Sequence, residues 1–594
     1  VPEDGEIIGD QEVGSTLPAK LAVRLAFVLS AAYLLAGLAL YGLAASQLVW
    51  PDIADGVSEL TYGRALPAGA NTLLFGWLTV ALIGIAFHAV PRLSGSPLAF
   101  PWIALGVMLL ASGGAGAGVA FVLLGDTAGG RWLEFPMLVD GALVVGYLAA
   151  AALLTLTARR GKRGLPVAGW YLIAAPWWLF LAYAAGAIPG LDGLAAEIQS
   201  GFTATTVIGL GGVAGAVGAG YFAVSQRLPE AMFNERLGRI GFWSLAFTWA
   251  WSSGRLFQYG PTSDWVETVP VLFGAGLVVA ALSVGEDFAG ALRGRWSEVR
   301  STPSVQLAVA GVALLAAAPP IAFVASLRSV SAVTRFTAWD TGFDEAVLLG
   351  AATLLVLAGV TSIASGKHRW GKWWGRAVLW PVLMGAVVAV GTRLASGLQQ
   401  GYAWLAGVES GAYENIGADF ERSAAGLEGL DLVHAAAIGL VAIGAAFFTL
   451  RLLWFAALRW QMAGVTLGDH EQRPAGIVRG AVAVFAIAAL GTFAFPAIDS
   501  VSDPSLLADS SRLLADGSSR AAGRDVYIAE GCWYCHTQQV RAVVTDVGLG
   551  TVSVQGDYAH DPVGLAGWRR IGPDLTHAGD RIDDPALFAR HIEN

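Results

Sequence analysis

The sequence predicts an all-α, polytopic membrane protein carrying a soluble C-terminal domain, and three observations carry that reading. Mean hydropathy is +0.59 and only 14% of the 594 residues are charged, against roughly a quarter in soluble domains. The apolar residues recur in separate runs, each long enough to cross a hydrocarbon core of ~30 Å. After Phe495 the composition changes to a polar tail.

Thirteen runs qualify as spans: 21–48, 66–90, 101–124, 134–157, 165–188, 201–224, 239–257, 265–285, 304–327, 343–365, 377–400, 431–455 and 478–497. Helices are expected because a bilayer segment must satisfy its backbone hydrogen bonds internally. Strand-like alternation is absent, which argues against a barrel. The stretch from Val1 to Pro18 is polar and acidic, so no cleavable signal peptide is visible. A chain opening on Val1 is expected to have lost earlier residues. A net charge of −9 argues against nucleic acid as a partner.

Basic residues set the expected orientation. Loops after even-numbered spans hold Arg159, Arg160, Lys162 and Arg163, then Arg227, Arg236 and Arg239, then Arg293, Arg295 and Arg300. Further along come Lys367, Arg369, Lys372 and Arg376, then Arg459, Arg473 and Arg479. Loops after odd-numbered spans are poor in Lys and Arg. The even loops and the N-terminus are therefore expected in the cytoplasm of a bacterial cell, with the tail outside the inner membrane. The expected division is a cytoplasmic segment at 1–20, a twelve-helix bundle at 21–458, and a cytoplasmic linker with the thirteenth helix at 459–498. A second linker follows at 499–520, then a cytochrome domain at 521–594.

That last domain is read from Cys532-Trp533-Tyr534-Cys535-His536. Two thiols two residues apart can form thioethers to both haem vinyl groups, and the adjacent imidazole then ligates the iron. The alternatives are a disulfide or half a zinc site. Zinc would require two more ligands, and the chain has no third cysteine. One covalent haem c, with His536 as proximal ligand, is expected.

The surrounding residues sharpen this. Gly523 to Gly531, the motif, Thr537-Gln538-Gln539-Val540-Arg541, and Arg570-Ile571-Gly572-Pro573-Asp574-Leu575 together resemble the monohaem cytochrome subunit of cbb-type haem–copper oxidases. The likeness covers about 470–594. It implies a class I-like cytochrome c domain anchored by one helix, with Pro573 packed beside the haem.

The first twelve spans resemble the catalytic subunit of the same oxidases, a twelve-helix haem–copper-oxidase-like bundle, but with its ligands missing. Tyr62-Gly63-Arg64 resembles the entry to the first haem-ligand helix, where Gly69-Ala70-Asn71 stands in place of a histidine. The resemblance aligns the copper histidines with Thr205, Arg255 and Leu256, and a helix-seven tyrosine with Trp249. Gly342-Phe343-Asp344-Glu345 stands where the family reads Gly-His-x-His, and Val378 where a further haem ligand is expected.

Such centres need about six imidazoles at membrane depth. Outside the tail there are only His88, His368, His434 and His470, and only His88 and His434 lie in spans. A hydrogen-bonded structural role is expected for those two, with haem b ligation the alternative. No haem b or copper is expected in the bundle. Trp249 and Phe343 are expected to fill vacated porphyrin space. Arg255, Arg335, Asp344 and Glu345 should be paired or line a wet cavity, or else sit solvated at the outer interface. Arg255 and Glu345 are expected to meet each other or other opposite charges. Trp373 and Trp374 read as interfacial anchors.

The expected function is electron transfer: a catalytically inactive oxidase-like scaffold relaying electrons through one haem c to other subunits of a membrane respiratory complex. A soluble or membrane-bound cytochrome c, or a similar redox protein, is the expected exchange partner. The alternatives are an active haem–copper terminal oxidase or nitric oxide reductase subunit, or a proton-moving scaffold using Arg255 and Glu345. For the sixth haem ligand, all five methionines precede the tail. His560, His577 and His591 are available, whereas the resemblance implies a methionine beyond Asn594.

Overall fold

A computed structural model describes residues 16–364, 371–409, 426–457, 473–502, 517–559 and 565–581, with the isolated positions 7–8, 465–466, 514, 561 and 586. The chain is a bundle of long apolar helices whose polar tail folds back onto one end. In chain order the helices are α1 (Leu17–Gln47), α2 (Tyr62–Ser94), α3 (Pro101–Leu123), α4 (Met137–Arg160), α5 (Val167–Gly186) and α6 (Gly193–Arg227). Then come α7 (Glu235–Trp251), α8 (Asp264–Ala291), α9 (Pro303–Ser326), α10 (Ala338–Ala364), α11 (Lys372–Glu409), α12 (Glu428–Ala457) and α13 (Pro474–Val501). A two-residue antiparallel pair, Ile7–Ile8 with Val465–Thr466, is the one strand pairing among the described residues.

Twelve of these helices are long and apolar enough to cross a membrane among the described residues. The seventh run differs from its expected extent. Its α-helix has 17 residues, and Ser252–Phe257 tightens into a 3₁₀ turn. The Ser252-Ser253-Gly254 sequence explains the change, since serine hydroxyls compete for backbone partners and glycine weakens helix. The Ser252 hydroxyl indeed donates to the Trp249 carbonyl at 2.7 Å.

Three helices form the interior. The apolar windows of α2, α6 and α10 are 94%, 100% and 94% buried, against 33–78% for the others. Each contains a π-helical stretch, Thr72–Thr79, Val207–Val213 and Ala346–Ala352. Such stretches concentrate at functional sites. Helix α13 lies against α5, α6 and α7, gripped by tryptophans. The Trp178 indole donates to the Ala481 carbonyl at 3.0 Å, while Trp243 and Trp251 cover Gly480 and Gly491 so closely that a Cβ there would overlap their rings.

The tail docks on the bundle end that carries the start of α2, the 124–136 loop, the start of α6 and the 327–337 loop. Arg64 pairs with Glu530, its Nε donating at 3.1 Å. A Cβ on Gly63 would overlap the Glu530 carbonyl, and one on Gly531 the Gly63 carbonyl. The Gly193 N–H donates to the Asp561 carbonyl at 2.7 Å, and the Arg570 N–H to the Phe336 carbonyl at 2.9 Å. Leu256 of the bundle packs into one cluster with Trp533, Tyr534 and Trp568 of the tail.

Candidate functional site

The haem motif follows a short helix, α14 (Ser519–Ala529), capped by the Ser518 hydroxyl, which accepts from the Ala521 N–H at 3.2 Å. Gly531, at φ +65, ends that helix in the left-handed region open to glycine. Cys532–Tyr534 then form a 3₁₀ turn, and the N–H groups of Cys535 and His536 both donate to the Cys532 carbonyl at 3.0 Å. Both thiols are free, so the disulfide reading is not realised. Burial pushes the Cys535 thiol up to about 12, with the Arg569 guanidinium offsetting part of that rise.

A strap from Ile571 to Leu575 holds the motif. The Ile571 and Gly572 N–H groups donate to the Cys535 carbonyl at 2.8 and 2.9 Å. A Cβ on Gly572 would overlap the His536 ring. His536 Nδ1 lies 2.8 Å from the Pro573 carbonyl oxygen. A carbonyl only accepts, so Nδ1 carries the proton and Nε2 keeps the lone pair that iron requires. The chemistry present fits haem c: two free thiols at the attachment spacing, and an imidazole whose tautomer is fixed by a second partner. Pro573 serves here through its carbonyl. Of the histidines considered for the sixth position, His577 sits beside Thr551, its Nε2 3.1 Å from the hydroxyl. His560 and His591 lie outside the described residues.

The bundle positions lack that chemistry. At Gly69 a Cβ would lie 2.6 Å from the Tyr41 nitrogen, so no side chain fits without moving α1. Trp249 is buried flat against Gly209, where a Cβ would overlap the indole. Phe343 lies beneath the Arg255 guanidinium, 4.6 Å from its centre. Val378 is fully buried in the apolar core. Thr205 lines a cavity of about 30 Å³ together with Trp249, Arg255, Leu256 and Phe343. Among the described residues, no group of three or more His, Cys, Asp or Glu side chains is placed to hold a metal ion.

The charged residues all find partners. Arg255 is 3.7 Å from Asp340, which also pairs with Arg335. Arg131 pairs with Asp344. Arg255 and Glu345 do not meet, because Glu345 is held in a separate network. Its Oε1 accepts from the Tyr41 hydroxyl at 2.7 Å and lies 2.8 Å from His434 Nε2. The other imidazole nitrogen of His434 lies 2.9 Å from an Arg393 amine, and Arg393 pairs with Asp431 at 2.7 Å. Arginine only donates and a carboxylate accepts, so both nitrogens of His434 are engaged and neither is left for a metal. His88 departs from the expectation of a hydrogen-bonded histidine. It is buried, neither ring nitrogen has a hydrogen-bond partner among the described residues, and its ring lies edge-on to Phe222 at 6.1 Å. Trp373 is exposed, as an interfacial anchor would be.

A larger cavity of about 100 Å³ lies where bundle and tail meet. Leu73, Leu348 and Leu349 line it, as do Arg131, Glu134, Glu345, Tyr534 and Arg569. A single water takes roughly 10–15 Å³ by this measure, so the space is large. The sequence reading missed three residues that tie the haem motif to this region. Tyr534, between the two cysteines, donates to the buried Glu134, whose other oxygen accepts from Asn71 on α2 at 3.0 Å. Arg569 is the third, beside Tyr534 and Glu134. A tyrosine inside the motif and the Arg569-Arg570 doublet before the strap were the available signals, but their partners lie hundreds of residues away.

Residues 21–433 match the family described as Cytochrome C and Quinol oxidase polypeptide I, and residues 506–594 match Cytochrome C oxidase, mono-heme subunit/FixO. Over 422 residues the chain is 22% identical to the Cbb3-type cytochrome c oxidase subunit CcoN1 of Stutzerimonas stutzeri, covering 66% of this chain and 86% of that protein. It is 23% identical over 391 residues to the Cytochrome c oxidase subunit 1 homolog of Agrobacterium tumefaciens (strain T37), covering 61% and 70% respectively. Among solved structures, a chain from a cryo-EM structure of a heme-copper terminal oxidase dimer superposes with a TM-score of 0.58 at 14% identity. That superposition covers 80% of this chain and 93% of the other, and it is a likeness of fold.

Proposed function

The chain belongs to the Cytochrome C and Quinol oxidase polypeptide I family, and from that premise we propose that it relays electrons through one haem c while its bundle serves as a scaffold without haem b or copper. It is a haem–copper-oxidase-like, multi-pass bacterial membrane subunit with a cytochrome c domain. The observation that carries the finer reading is the occupation of the family's ligand positions. Gly69 is closed against Tyr41, and Glu345 is committed to His434 and Tyr41.

The haem supplies a one-electron iron couple when bound. Cys532 and Cys535 attach it, His536 ligates through Nε2, and the Pro573 carbonyl holds that ring in place. Trp533 stacks on Tyr534 at 3.8 Å between ring centres and, with Trp568, covers the motif on its bundle side. Partners are then other subunits of a respiratory complex and a cytochrome c or similar redox protein, met on the extracytoplasmic side. The division expected from the sequence, a scaffold at 21–458 and a cytochrome domain at 521–594, is part of the same proposal.

Turnover of the purified full-length holoprotein tests it. With ascorbate and a mediator, the haem c band should reduce fully, oxygen uptake should stay at the protein-free background, and added ferric cytochrome c should reoxidise the band. Cyanide-sensitive oxygen consumption by this chain alone would contradict it.

A further inference from the structure

Among the described residues, Arg451 is a cation inside a spanning helix that no carboxylate neutralises. Helix α12 is apolar and long enough to cross a bilayer, and Arg451 lies about 9 Å short of its end at Ala457. His434, on the same helix, reaches the cavity-lining Glu345. Arg451 is about 25 Å further along, at the bundle end remote from the tail. It is half-buried, and its Nε is buried without a hydrogen-bond partner. An ionisable side chain in a spanning helix is expected to meet a counter-charge.

Aromatic rings hold that charge in place. Phe447, Arg451 and Phe455 recur every four residues on one face of α12 and meet Trp373 and Trp374 at the start of α11. The Arg451 guanidinium lies 5.6 Å from the Trp374 ring and 4.4 Å from that of Phe455, and Trp373 packs edge-on to Phe447 at 5.9 Å. A guanidinium held over a ring keeps the N–H donors of its edge for an anion. Lys372 and Arg376, exposed and one turn apart, flank Trp373. From Lys367 to Arg376 the sequence has four basic residues and no acidic one. Leu450, Leu453 and Trp454, beside Arg451, are exposed apolar side chains. An arginine near a helix end can reach water without any ligand, but a group of cations with no carboxylate among them calls for an anion.

We propose that the adjoining ends of α11 and α12 bind the phosphate of an anionic phospholipid, received by Arg451, Lys372 and Arg376, with its acyl chains along Leu450, Leu453 and Trp454. Arginine matches two phosphate oxygens with paired N–H donors, while lysine adds a point charge. Basic pockets between spanning helices suit such headgroups. Trp373 and Trp374 are then walls of this site as well as interfacial anchors. The recognised chemistry is a phosphate, and the apolar side chains beside it distinguish a lipid from the free ion.

Native mass spectrometry of the full-length holoprotein tests this, after delipidation in detergent and addition of phosphatidylglycerol and phosphatidylcholine with matched chains. Wild type should retain a phosphatidylglycerol in preference to phosphatidylcholine. Arg451→Gln should weaken that retention roughly tenfold and Arg451→Lys less. Lys372→Gln and Arg376→Gln should each weaken it roughly fivefold. Arg159→Gln, which removes an exposed cation from the end of α4, should retain the lipid as wild type does. Should Arg451→Gln not accumulate, the double variant Lys372→Gln/Arg376→Gln decides. Equal retention of the two lipids overturns the proposal, as does an unchanged preference in the variants of the site or an equal loss in Arg159→Gln. Displacement of the lipid by inorganic phosphate at matched concentration also overturns it, assigning the site to a free ion.

Discussion

Asp546 is the residue on which the docked tail turns. It is fully buried and takes Arg541 at 2.7 Å and Arg570 at 2.8 Å. Both guanidiniums also lie over the ring of Phe336, at 4.9 and 5.0 Å. Phe336 sits at φ +68, a left-handed conformation that bulky residues avoid, so the bundle loop is held where its ring and carbonyl meet the tail. Burial alone would raise the Asp546 carboxyl, but Arg570 and Arg541 hold it well below the usual carboxylate range. A depressed carboxyl contributes stability that is complete above its unfolded value and fades as pH falls through its folded value. The tail should therefore stay docked at neutral pH and loosen only in acid, below the ordinary aspartate range of about 4. Asp546→Asn removes the anion and leaves two buried cations. It should cost about 3–5 kcal/mol, seen as a lower melting temperature of the tail and faster proteolysis of its linker, with the acid sensitivity lost.

At the scale of elements, the inner helices decide what the bundle can hold. Returning a histidine to α2 as Gly69→His should not recruit haem b. Its Cβ would lie 2.6 Å from the Tyr41 nitrogen, and overpacking of this kind costs roughly 1–3 kcal/mol. The expected result is a lower melting temperature with no new haem band in the absorption spectrum. The outer helices were legible in the sequence because a bilayer-length apolar run has few alternatives. The π-helical stretches of α2, α6 and α10 were not, since they depend on packing against neighbours rather than on propensity. The short α7 was overextended because Leu256 and Phe257 renew the apolar pattern beyond the Ser252-Ser253-Gly254 break. His434 was legible as a structural histidine, whereas His88 was not: its lack of partners follows from which rings surround it. The haem motif could be read outright, being contiguous, while Glu134 and Arg569 act across 400 and 228 residues of chain, toward Tyr534 and Thr341.

At the scale of the whole molecule, the tail joins the bundle through Arg64, Glu134 and the 327–337 loop. His536→Ala should abolish haem ligation and leave the bundle inserted and monodisperse in detergent, because the bundle helices pack on one another in a core of their own. Failure of that variant to assemble would show that the bundle needs the loaded tail. The central claim is the distribution of cofactors, and their quantitation in the purified full-length chain tests it most directly. A pyridine haemochrome spectrum with metal analysis should give one haem c per chain and neither haem b nor copper in stoichiometric amount. Stoichiometric haem b or copper in this chain would contradict it.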